Sequence, residues 1–206
     1  GRQVAGWGRS QQAVLTVGLV MMVVWTAACA SAPVKIPTAS ATPSAKSTTI
    51  APGVSVNPAE LSVPPYSVST SNPLPAGVSP RRVVMDVITD NLIENRAIER
   101  GDAPLLAYAD SGGMLTIDQS TISTDRSDGL RILSINDSIS SLVLGSEVDP
   151  NNPDAQAALN VEGVERITRR DSEQKLSHTV DDFHVLIWVD WSPVLQKYLR
   201  CDVSVL

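Results

Sequence analysis

The residues that could perform chemistry are few, and their spacing selects no reaction. Ser111 follows Asp110 and precedes two glycines, a local sequence that can present a serine nucleophile. Such a serine needs a base within about 3 Å and a third group that orients the base. His178 and His184 are the only histidines, and no strand is expected before Ser111 to build a nucleophile elbow. We interpret this segment as a glycine-rich break between helices and predict no catalytic residue.

Metal binding is equally poorly supported by the residue types. The two histidines and Cys201 cannot supply a soft four-ligand zinc site. Oxygen ligands gather between Asp149 and Asp154, but this stretch lacks the glycine and the distal glutamate of a calcium-binding EF-hand loop. We predict an ordinary turn there, and we expect neither a metal nor a cofactor.

Charge is distributed unevenly along the 206 residues. The chain carries 16 basic and 22 acidic side chains and a net charge of -6. Residues 80–206 hold 12 of the basic and 21 of the acidic side chains. An acidic domain of this kind argues against a nucleic-acid partner. With only two cysteines in the chain, a disulfide-stapled scaffold is also excluded.

The N-terminal segment is typical of an export signal. Arg2 and Arg9 precede sixteen residues without a charge, Ala13–Ala28. Directly before Cys29 stand three small residues, the first of which is Thr26. The sequence therefore predicts a signal peptide over residues 1–28.

The end of this segment resembles the lipobox of bacterial lipoproteins. In that family the cysteine thiol receives a diacylglyceryl group, and the signal is cut just before the cysteine. The resemblance implies lipid attachment at Cys29, with fatty acyl chains such as palmitate, and a protein held on the extracytoplasmic face of the cell membrane. Thr26 departs from the pattern, because the family usually has an aliphatic residue there.

Two other interpretations of this segment stay open. Ala13–Ala30 spans 18 residues, and about 20 are needed to cross a ~30 Å hydrocarbon layer, so an uncleaved single-pass helix is one. The other is cleavage by an ordinary signal peptidase near an incidental Cys29. Two of the three interpretations leave a membrane anchor.

The composition changes abruptly after the cysteine. Of residues 30–80, 10 are Pro, 10 are Ser and 5 are Thr, and Tyr66 is the only aromatic residue. Because proline-rich and Ser/Thr-rich sequence favours extended and solvated backbone, we predict a disordered linker over residues 29–79. Such a linker would tether the domain of residues 80–206 to the membrane.

The domain begins with a strong helix pattern. Ser79-Pro80 is an N-cap followed by proline at the first helical position, and Gly101 ends the pattern. Apolar side chains recur at helical spacing between these two positions. Asn91 and Asn95 fall within this apolar stripe, so they either face a polar pocket or reach water or a loop.

The second half of the domain is expected to be mostly sheet, after two short helices that follow Asp102 and Gly113. We predict a turn at Asn136-Asp137 and a strand with a bulge at Gly163. Phe183–Trp191 is almost entirely apolar and predicts a strand covered on both faces. After a break at Ser192-Pro193, alternation predicts a final strand. Its dry face would carry Leu199, Cys201, Val203 and Val205, and its wet face Tyr198, Arg200, Asp202 and Ser204.

This order of elements resembles the NTF2-like (cystatin-superfamily) domains of actinobacterial lipoproteins. The resemblance rests on the long first helix, the passage from Gly101-Asp102 to Tyr108 into a short helix, and the long strands that follow. It implies an α+β fold in which N-terminal helices pack in a strongly bent antiparallel sheet that forms a cone with an open mouth. The Trp191–Leu195 turn departs from the tight glycine-containing turn of the family.

The resemblance leaves two functions open. We favour a membrane-anchored binding or assembly module of the cell envelope, because a tether holds a binder at a fixed local concentration. Its partner would be an envelope protein, a small ligand or a second copy. The alternative is a small-molecule isomerase or dehydratase, which requires a deep cavity with an ionisable residue of shifted pKa.

We choose the candidate residues for either function by their positions on the predicted helices and strands, because no sequence motif selects them. Asn91, Asn95, Tyr108, His184 and Trp188 are the candidates for a pocket or an interface, with Trp188 as the first choice for a contact surface. The acid-base roles known in the family could be assigned to Tyr108, Asp118, His184, Asp190 and Asp202. Nothing in their spacing selects these residues, so we predict structural roles for them, favour a protein without enzyme activity and keep the isomerase or dehydratase as the alternative.

Overall fold

The computed structural model describes residues 47–206 together with two dipeptides near the start of the chain, Val4–Ala5 (β1) and Arg9–Ser10 (β2), which pair with each other. The remainder of the predicted signal peptide (1–28), Cys29 and the first part of the predicted linker lie outside the described residues. In the described residues, no helix combines the length and the apolar character needed to cross a membrane.

Short elements come first and long strands come last. Before the long helix lie β3 (Thr48–Ala51), β4 (Val54–Val56), the 3-10 helix η1 (Pro58–Leu61) and β5 (Ser67–Val68). The helical part consists of α1 (Pro80–Arg100), the 3-10 helix η2 (Ala103–Tyr108) and α2 (Gly112–Ser127). The long strands are β6 (Arg131–Gly145), β7 (Ala157–Arg170), β8 (Leu176–Ser192) and β9 (Lys197–Val205).

Five of these strands form one sheet in the order β5-β6-β7-β8-β9. The neighbours from β6 to β9 are antiparallel, whereas β5 runs parallel to β6 through the pairs Ser67↔Val143 and Val68↔Leu144. β3 and β4 form a separate antiparallel hairpin. The two sheets are joined through α1, because side chains of both pack against this helix.

The long helix forms as the sequence predicts. The Ser79 hydroxyl accepts a hydrogen bond from the Arg82 amide at 3.4 Å, and Pro80 occupies the first helical position. Gly101 ends the helix with φ 66°, a left-handed conformation that a residue without Cβ adopts easily. Both predicted ends of the helix are therefore confirmed.

The core lies between α1 and the long sheet. The first half of α1 packs through Val83, Val84 and Val87 against apolar side chains of β6 to β9. Its second half packs through Ile93 and Ala97 against the β3–β4 hairpin, η2 and α2. The two halves of α1 therefore contribute side chains to two hydrophobic clusters. The positions of these buried side chains determine which sides of the helix its polar residues occupy.

The predicted fold class, an NTF2-like cone with N-terminal helices in a bent antiparallel sheet, is wrong. Strands make up 41% of the described residues and helices 29%, so the fold is mostly sheet. β3, β4 and β5 precede α1, and the five-stranded sheet contains the parallel strand β5. The helices are therefore neither N-terminal nor packed against the sheet in the manner of that family.

The error originates in residues 47–79, which we predicted to be disordered linker. Within this segment Val54 is fully buried and Val56 is 2% exposed, and both pack in the cluster formed by the second half of α1. The Arg100 Nη1 also donates to the Gly53 carbonyl at 3.1 Å. Two valines at period-two spacing are enough to anchor a short hairpin, despite the prolines and serines around them.

Three local predictions about the strands are corrected as well. Asn136 and Asp137, expected in a turn, lie inside β6 and pair with β7. The bulge expected at Gly163 lies instead on β6, where the register shifts between Ile139 and Ser141. A further shift between Trp188 and Val189 of β8 inserts an extra residue into β9.

This last bulge breaks the predicted alternation of β9. Cys201 packs with Ala158, Leu186 and Trp188, whereas Val203 packs in the main core with Tyr198. Burial raises the pKa of the Cys201 thiol to about 12, as expected for a small core residue rather than a reactive one. Arg200, predicted on the wet face, is fully buried.

Candidate functional site

A guanidinium lies fully buried among carboxylates at the centre of the domain. Arg200 donates from Nε and Nη2 to Asp110 Oδ1 at 2.9 and 2.5 Å, and from Nη1 to Glu94 Oε2 at 2.7 Å. Asp118 Oδ2 lies 3.8 Å from Nη2. All four side chains are 0% exposed in these contacts. Such a set of charges persists in a core only when the charges are paired and hydrogen-bonded.

Three separate elements supply this cluster. Glu94 lies on α1, Asp118 on α2, and Asp110 in the short connection between η2 and α2. The backbone of Arg200 is bound to the same connection, because its N–H donates to the Ala109 carbonyl at 3.2 Å and its carbonyl accepts from the Ser111 amide at 2.8 Å. The arginine therefore fixes the edge strand β9 to both helices through side chain and backbone together.

A second ion pair extends the cluster. Asp90, one helical turn before Glu94, contacts the Lys197 ammonium and is itself fully buried. Lys197 Nζ also donates to the Tyr108 carbonyl at 2.8 Å. We refer to Asp90, Glu94, Asp110, Asp118, Lys197 and Arg200 as the buried ionic cluster.

Burial dominates the protonation of this cluster. Desolvation raises the pKa of Asp90 to about 8, although Lys197 and Arg200 lower it. Desolvation also raises the pKa of Asp110 to about 7, against the lowering effect of Arg200. Burial alone would lower the pKa of Arg200, but Asp110 and Glu94 more than offset this, and its pKa lies well above the usual value. The cluster holds two cations and four carboxyl groups, and burial raises the pKa of two of these carboxyl groups, Asp90 and Asp110.

The residues that we proposed for a pocket or interface are not brought together. Asn91 and Asn95 both donate from Nδ2 to Asp137 Oδ2, at 2.7 and 2.9 Å. The amides thus meet a polar partner in β6, beside an open groove of about 310 Å³ that Asn91 and Asp137 line with residues of η1. Tyr108 lies at the end of η2 with about a third of its surface exposed.

His184 and Trp188 lie on β8, four residues apart. His184 is exposed, with Nε2 at 2.9 Å from Asn160 Oδ1 and 3.5 Å from Glu162 Oε1. Trp188 is only 6% exposed, and its Nε1 donates to the Glu147 carbonyl at 3.2 Å. Trp188 is therefore part of a small core cluster rather than a contact surface.

The serine and aspartates considered for catalysis are engaged elsewhere. Ser111 Oγ donates to Asp190 Oδ1 at 3.0 Å, whereas both histidines lie on β8 with neighbouring strand residues as partners. Asp202 accepts from Asn151 Nδ2 at 2.8 Å and from the Val203 amide at 2.8 Å. The described residues hold no group of three or more His, Cys, Asp or Glu side chains arranged for a metal ion.

One stretch of β8 extends beyond the residues that pair with β9. The pairing of β8 with β9 begins at Val185↔Val205, and the Leu206 amide donates to the His184 carbonyl at 3.0 Å. In the described part of the chain, no strand pairs with residues 176–184 on this side. We call this stretch the β8 edge. It exposes two apolar side chains, Leu176 and Val180, the latter at 64%.

A groove of about 480 Å³ adjoins the β8 edge. It is lined by Glu162, Gly163, Asp182, Phe183 and His184, and by the last residues of β9. Gly163 shapes its floor, because a Cβ there would lie 2.5 Å from Phe183 Cζ and 2.5 Å from the Ser138 carbonyl oxygen. Only glycine allows the Phe183 ring to lie over this part of the sheet.

Sequence reasoning missed both the buried ionic cluster and the β8 edge. The sequence contains one local signal of the buried ionic cluster. Asp90 and Glu94 follow Val83 and Val87 at helical spacing, on the apolar side of α1. It contains no such signal of the β8 edge, because no local pattern shows which residues of β8 pair with β9.

Comparisons with known proteins identify no family. No protein-family profile matches this chain, and no curated protein matches it. A solved structure similar to it is the intermembrane space region of the chloroplast protein ARC6, with 17% sequence identity and a TM-score of 0.48. The similarity covers 63% of this chain and 98% of that one.

Proposed function

We propose that this protein is an extracytoplasmic lipoprotein that serves as a binding or assembly module of the cell envelope. In this proposal Cys29 carries the lipid, residues 30–46 tether the domain, and the β8 edge receives the partner. The observation that carries the binding role is the pair of exposed apolar side chains on β8, Leu176 and Val180, on the strand that also lines an open groove of about 480 Å³.

Exposed apolar side chains that are flanked by polar ones are typical of a surface that binds another protein. Leu176 and Val180 alternate with His178 and Asp182 along β8 in such a way that all four side chains lie on the same face of the sheet. The exposed apolar pair and the adjoining groove support a binding surface there.

The locations of Asp90 and Asp110 favour binding over catalysis by these two residues. Two carboxyl groups whose pKa is raised by burial, Asp90 and Asp110, are both buried in the core with Lys197 and Arg200. Neither lines the groove beside the β8 edge. An isomerase or dehydratase would need such a group to face its substrate.

The anchor is tested by intact-mass analysis of the membrane fraction. We expect the full chain, expressed with its export segment, to begin at Cys29 and to carry a diacylglycerol mass. The Cys29→Ser variant should lose both the added mass and the membrane association. A wild-type protein recovered without acyl chains and in the cytosol would refute the lipoprotein part of the proposal.

The binding role is tested by site-specific photo-crosslinking in intact cells. A photo-reactive residue at position 180 should capture a defined protein in the envelope. Position 148 is the matched control, because Val148 is also an exposed valine, at 79%, but lies in the loop between β6 and β7. Equal labelling at both positions, or none at position 180, would remove the β8 edge from the proposal.

A further inference from the structure

We infer that the groove between α1, η1 and β6 binds a ligand that carries a primary ammonium group on a short aliphatic chain. This groove, the α1–β6 groove, is the one of about 310 Å³ that Asn91 and Asp137 line. It lies on the face of the sheet that α1 covers, whereas Leu176 and Val180 lie on the opposite face of β8. The inference therefore goes beyond the binding role of the β8 edge and does not depend on it.

Three acidic residues form a row across the sheet, and the row begins at this groove. Asp137 of β6 is directly opposite Glu165 of β7, and Glu165 is directly opposite Asp181 of β8. Directly opposite residues project from the same face, with Cβ atoms about 4.5–5.5 Å apart. Because like charges at such positions repel one another, a positive group beside the row would offset the repulsion.

The acidic row interrupts a face of the sheet that packs in the core. On one side of the row lie Ile135 and Ile167, which pack with the second half of α1. On the other side lies Phe183, which packs with the first half of α1. Glu165, in the middle of the row, is only 2% exposed. Burial of carboxylates between apolar rows costs free energy, and a cation that pairs with them reduces this cost.

Helix α1 places a hydrogen-bond acceptor beside the row. Asn91 Nδ2 donates to Asp137 Oδ2 at 2.7 Å, and this fixes the orientation of the amide, since an ionised carboxylate only accepts. Asn91 is 6% exposed, and its Oδ1 has no hydrogen-bond partner among the described residues. Because Asn91 and Asp137 both line the groove, a donor bound there would have the amide oxygen and the carboxylate as neighbours. An ammonium group carries three such donors.

The walls of the α1–β6 groove determine the remainder of the ligand. Ile88, Leu92, Ile139 and Pro64 line it, so the chain that follows the ammonium group must be apolar. A volume of about 310 Å³ is at the lower limit of small-molecule sites and holds about ten groups the size of a water molecule. A short aliphatic amine fits both conditions.

Charge at the rim favours a cation as well. Glu60 lines the groove, and 39% of its side chain is exposed. Its neighbour Arg96 is shared, because Nη2 lies 3.4 Å from Glu60 Oε1 while Nη1 donates to Glu99 Oε2 at 2.8 Å. Residues 80–206 carry 21 acidic and 12 basic side chains, so the field of the domain attracts positive ligands.

Methyl NMR of the purified full chain in a non-ionic detergent tests the site, with butylammonium chloride as the probe at constant ionic strength. We expect the δ1 methyl signals of Ile88 and Ile139 to shift with a dissociation constant on the order of 1 mM, as for a ligand of few atoms. The signal of Ile122, which lines a separate groove beside η2, should not shift. Tetramethylammonium has the same charge but no N–H donor, and it should bind at least about tenfold more weakly. Equal binding of the two cations, or no binding of butylammonium, would overturn the inference.

A pair of charge-neutralising variants tests the carboxylate. Asp137→Asn keeps the shape of the side chain and should weaken butylammonium binding at least about tenfold, since it removes the negative charge at the inner end of the groove. Asp182→Asn is the matched control, because Asp182 is exposed on the opposite face of β8, and its affinity should equal that of the wild type. Equal affinities of the two variants would contradict the site.

Glu60→Gln repeats the test at the rim and decides the question if Asp137→Asn does not fold. Glutamine can retain the capping box with Asn57, so the variant removes the charge and leaves η1 in place. We expect binding about twofold to fivefold weaker, as for an exposed ion pair. An unchanged dissociation constant in this variant would also count against a cation site.

A second probe distinguishes the two sources of such an ammonium group, a free amine and a lysine side chain of another protein. The probe is lysine with its α-amino group acetylated and its carboxyl group converted to the methylamide, so that only the side chain is charged. Binding tighter than that of butylammonium would identify a lysine of a partner protein as the ligand. Weaker binding would identify a free aliphatic amine.

Discussion

Arg200 on the edge strand β9 donates to Glu94 on α1 at 2.7 Å, with both side chains fully buried. The two residues lie 106 positions apart in the chain. Their contact connects the last strand to the first long helix, and Asp110 and Asp118 add α2 and its connection to the same guanidinium. The buried ionic cluster is thus the point where the helical and strand halves of the domain are joined.

Removal of the guanidinium should destabilise the domain severely. Arg200→Met keeps an apolar side chain of similar length but leaves Glu94, Asp110 and Asp118 without their cation. Breaking a buried pair in this way costs about 3–5 kcal/mol of unfolding free energy. Urea unfolding at neutral pH measures the loss. Arg81→Ala, at an exposed arginine of α1, is the control and should cost less than about 1 kcal/mol.

The raised carboxyl pKa of Asp90 should make stability depend on pH. Its pKa rises from 3.8 to about 8 on folding, so the folded state binds the proton more tightly than the unfolded state. The contribution is fully present below about pH 4 and is lost as the pH rises through 8. Asp110, with a pKa of about 7, acts in the same direction.

The Asp90→Asn variant isolates this effect, because an amide resembles the protonated acid. We expect the fall in unfolding free energy between pH 5 and pH 8.5 to be smaller in this variant than in the wild type. Urea unfolding at several pH values and constant ionic strength provides the comparison. Asp154→Asn, at an exposed residue of the β6–β7 loop, is the control. Parallel pH profiles for wild type and Asp90→Asn would show that Asp90 does not hold a proton in the core.

The sequence predicted the elements that local chemistry determines. The ends of α1 follow from Ser79-Pro80 and Gly101, and the predicted strand Phe183–Trp191 lies within β8, which ends at Ser192 as expected. In each case the deciding residues are neighbours in the chain. Capping, glycine conformation and continuous apolar character act over a few residues and can be read directly.

The features that the sequence did not predict depend on distant pairing. Regular alternation along β9 predicts Arg200 on the wet face of the strand. A bulge at Cys201 shifts the register, so the alternation does not continue past this residue. Asp110, the partner of Arg200, lies 90 residues earlier, and no local pattern joins the two. Asn136 and Asp137 favour a turn, yet pairing with β7 holds them in a strand. Tertiary pairing overrides local preference in such cases.

Gly163 should tolerate no side chain. A Cβ at this position would lie 2.5 Å from the Phe183 ring and from a backbone carbonyl, and the carbonyl cannot move without disturbing β6. We expect Gly163→Ala to lower the unfolding free energy by about 1–3 kcal/mol, the range of overpacked sites. Thermal or urea unfolding tests this. Gly113→Ala is the control, since the nearest atoms to its Cβ would lie 3.7 Å away. Equal stability of both variants would mean that Phe183 can move aside freely.

The β3–β4 hairpin should contribute to the stability of the domain, although the proline-rich and serine-rich composition of this segment predicted a disordered linker. Val54 is fully buried in the cluster with Ile93 and Ala97 of α1, so Val54→Ala removes two buried methyl groups. At about 0.8 kcal/mol for each group, plus a cavity term, the unfolding free energy should fall by about 2 kcal/mol.

Val68→Ala, at a valine of β5 that is 39% exposed, is the matched control and should cost much less. A loss at position 54 no larger than at position 68 would place the hairpin outside the cooperative unit and restore a linker that reaches to residue 79. A clear loss would show that the folded unit begins near Thr48, because only packing against α1 can make an isolated two-stranded hairpin stable in water.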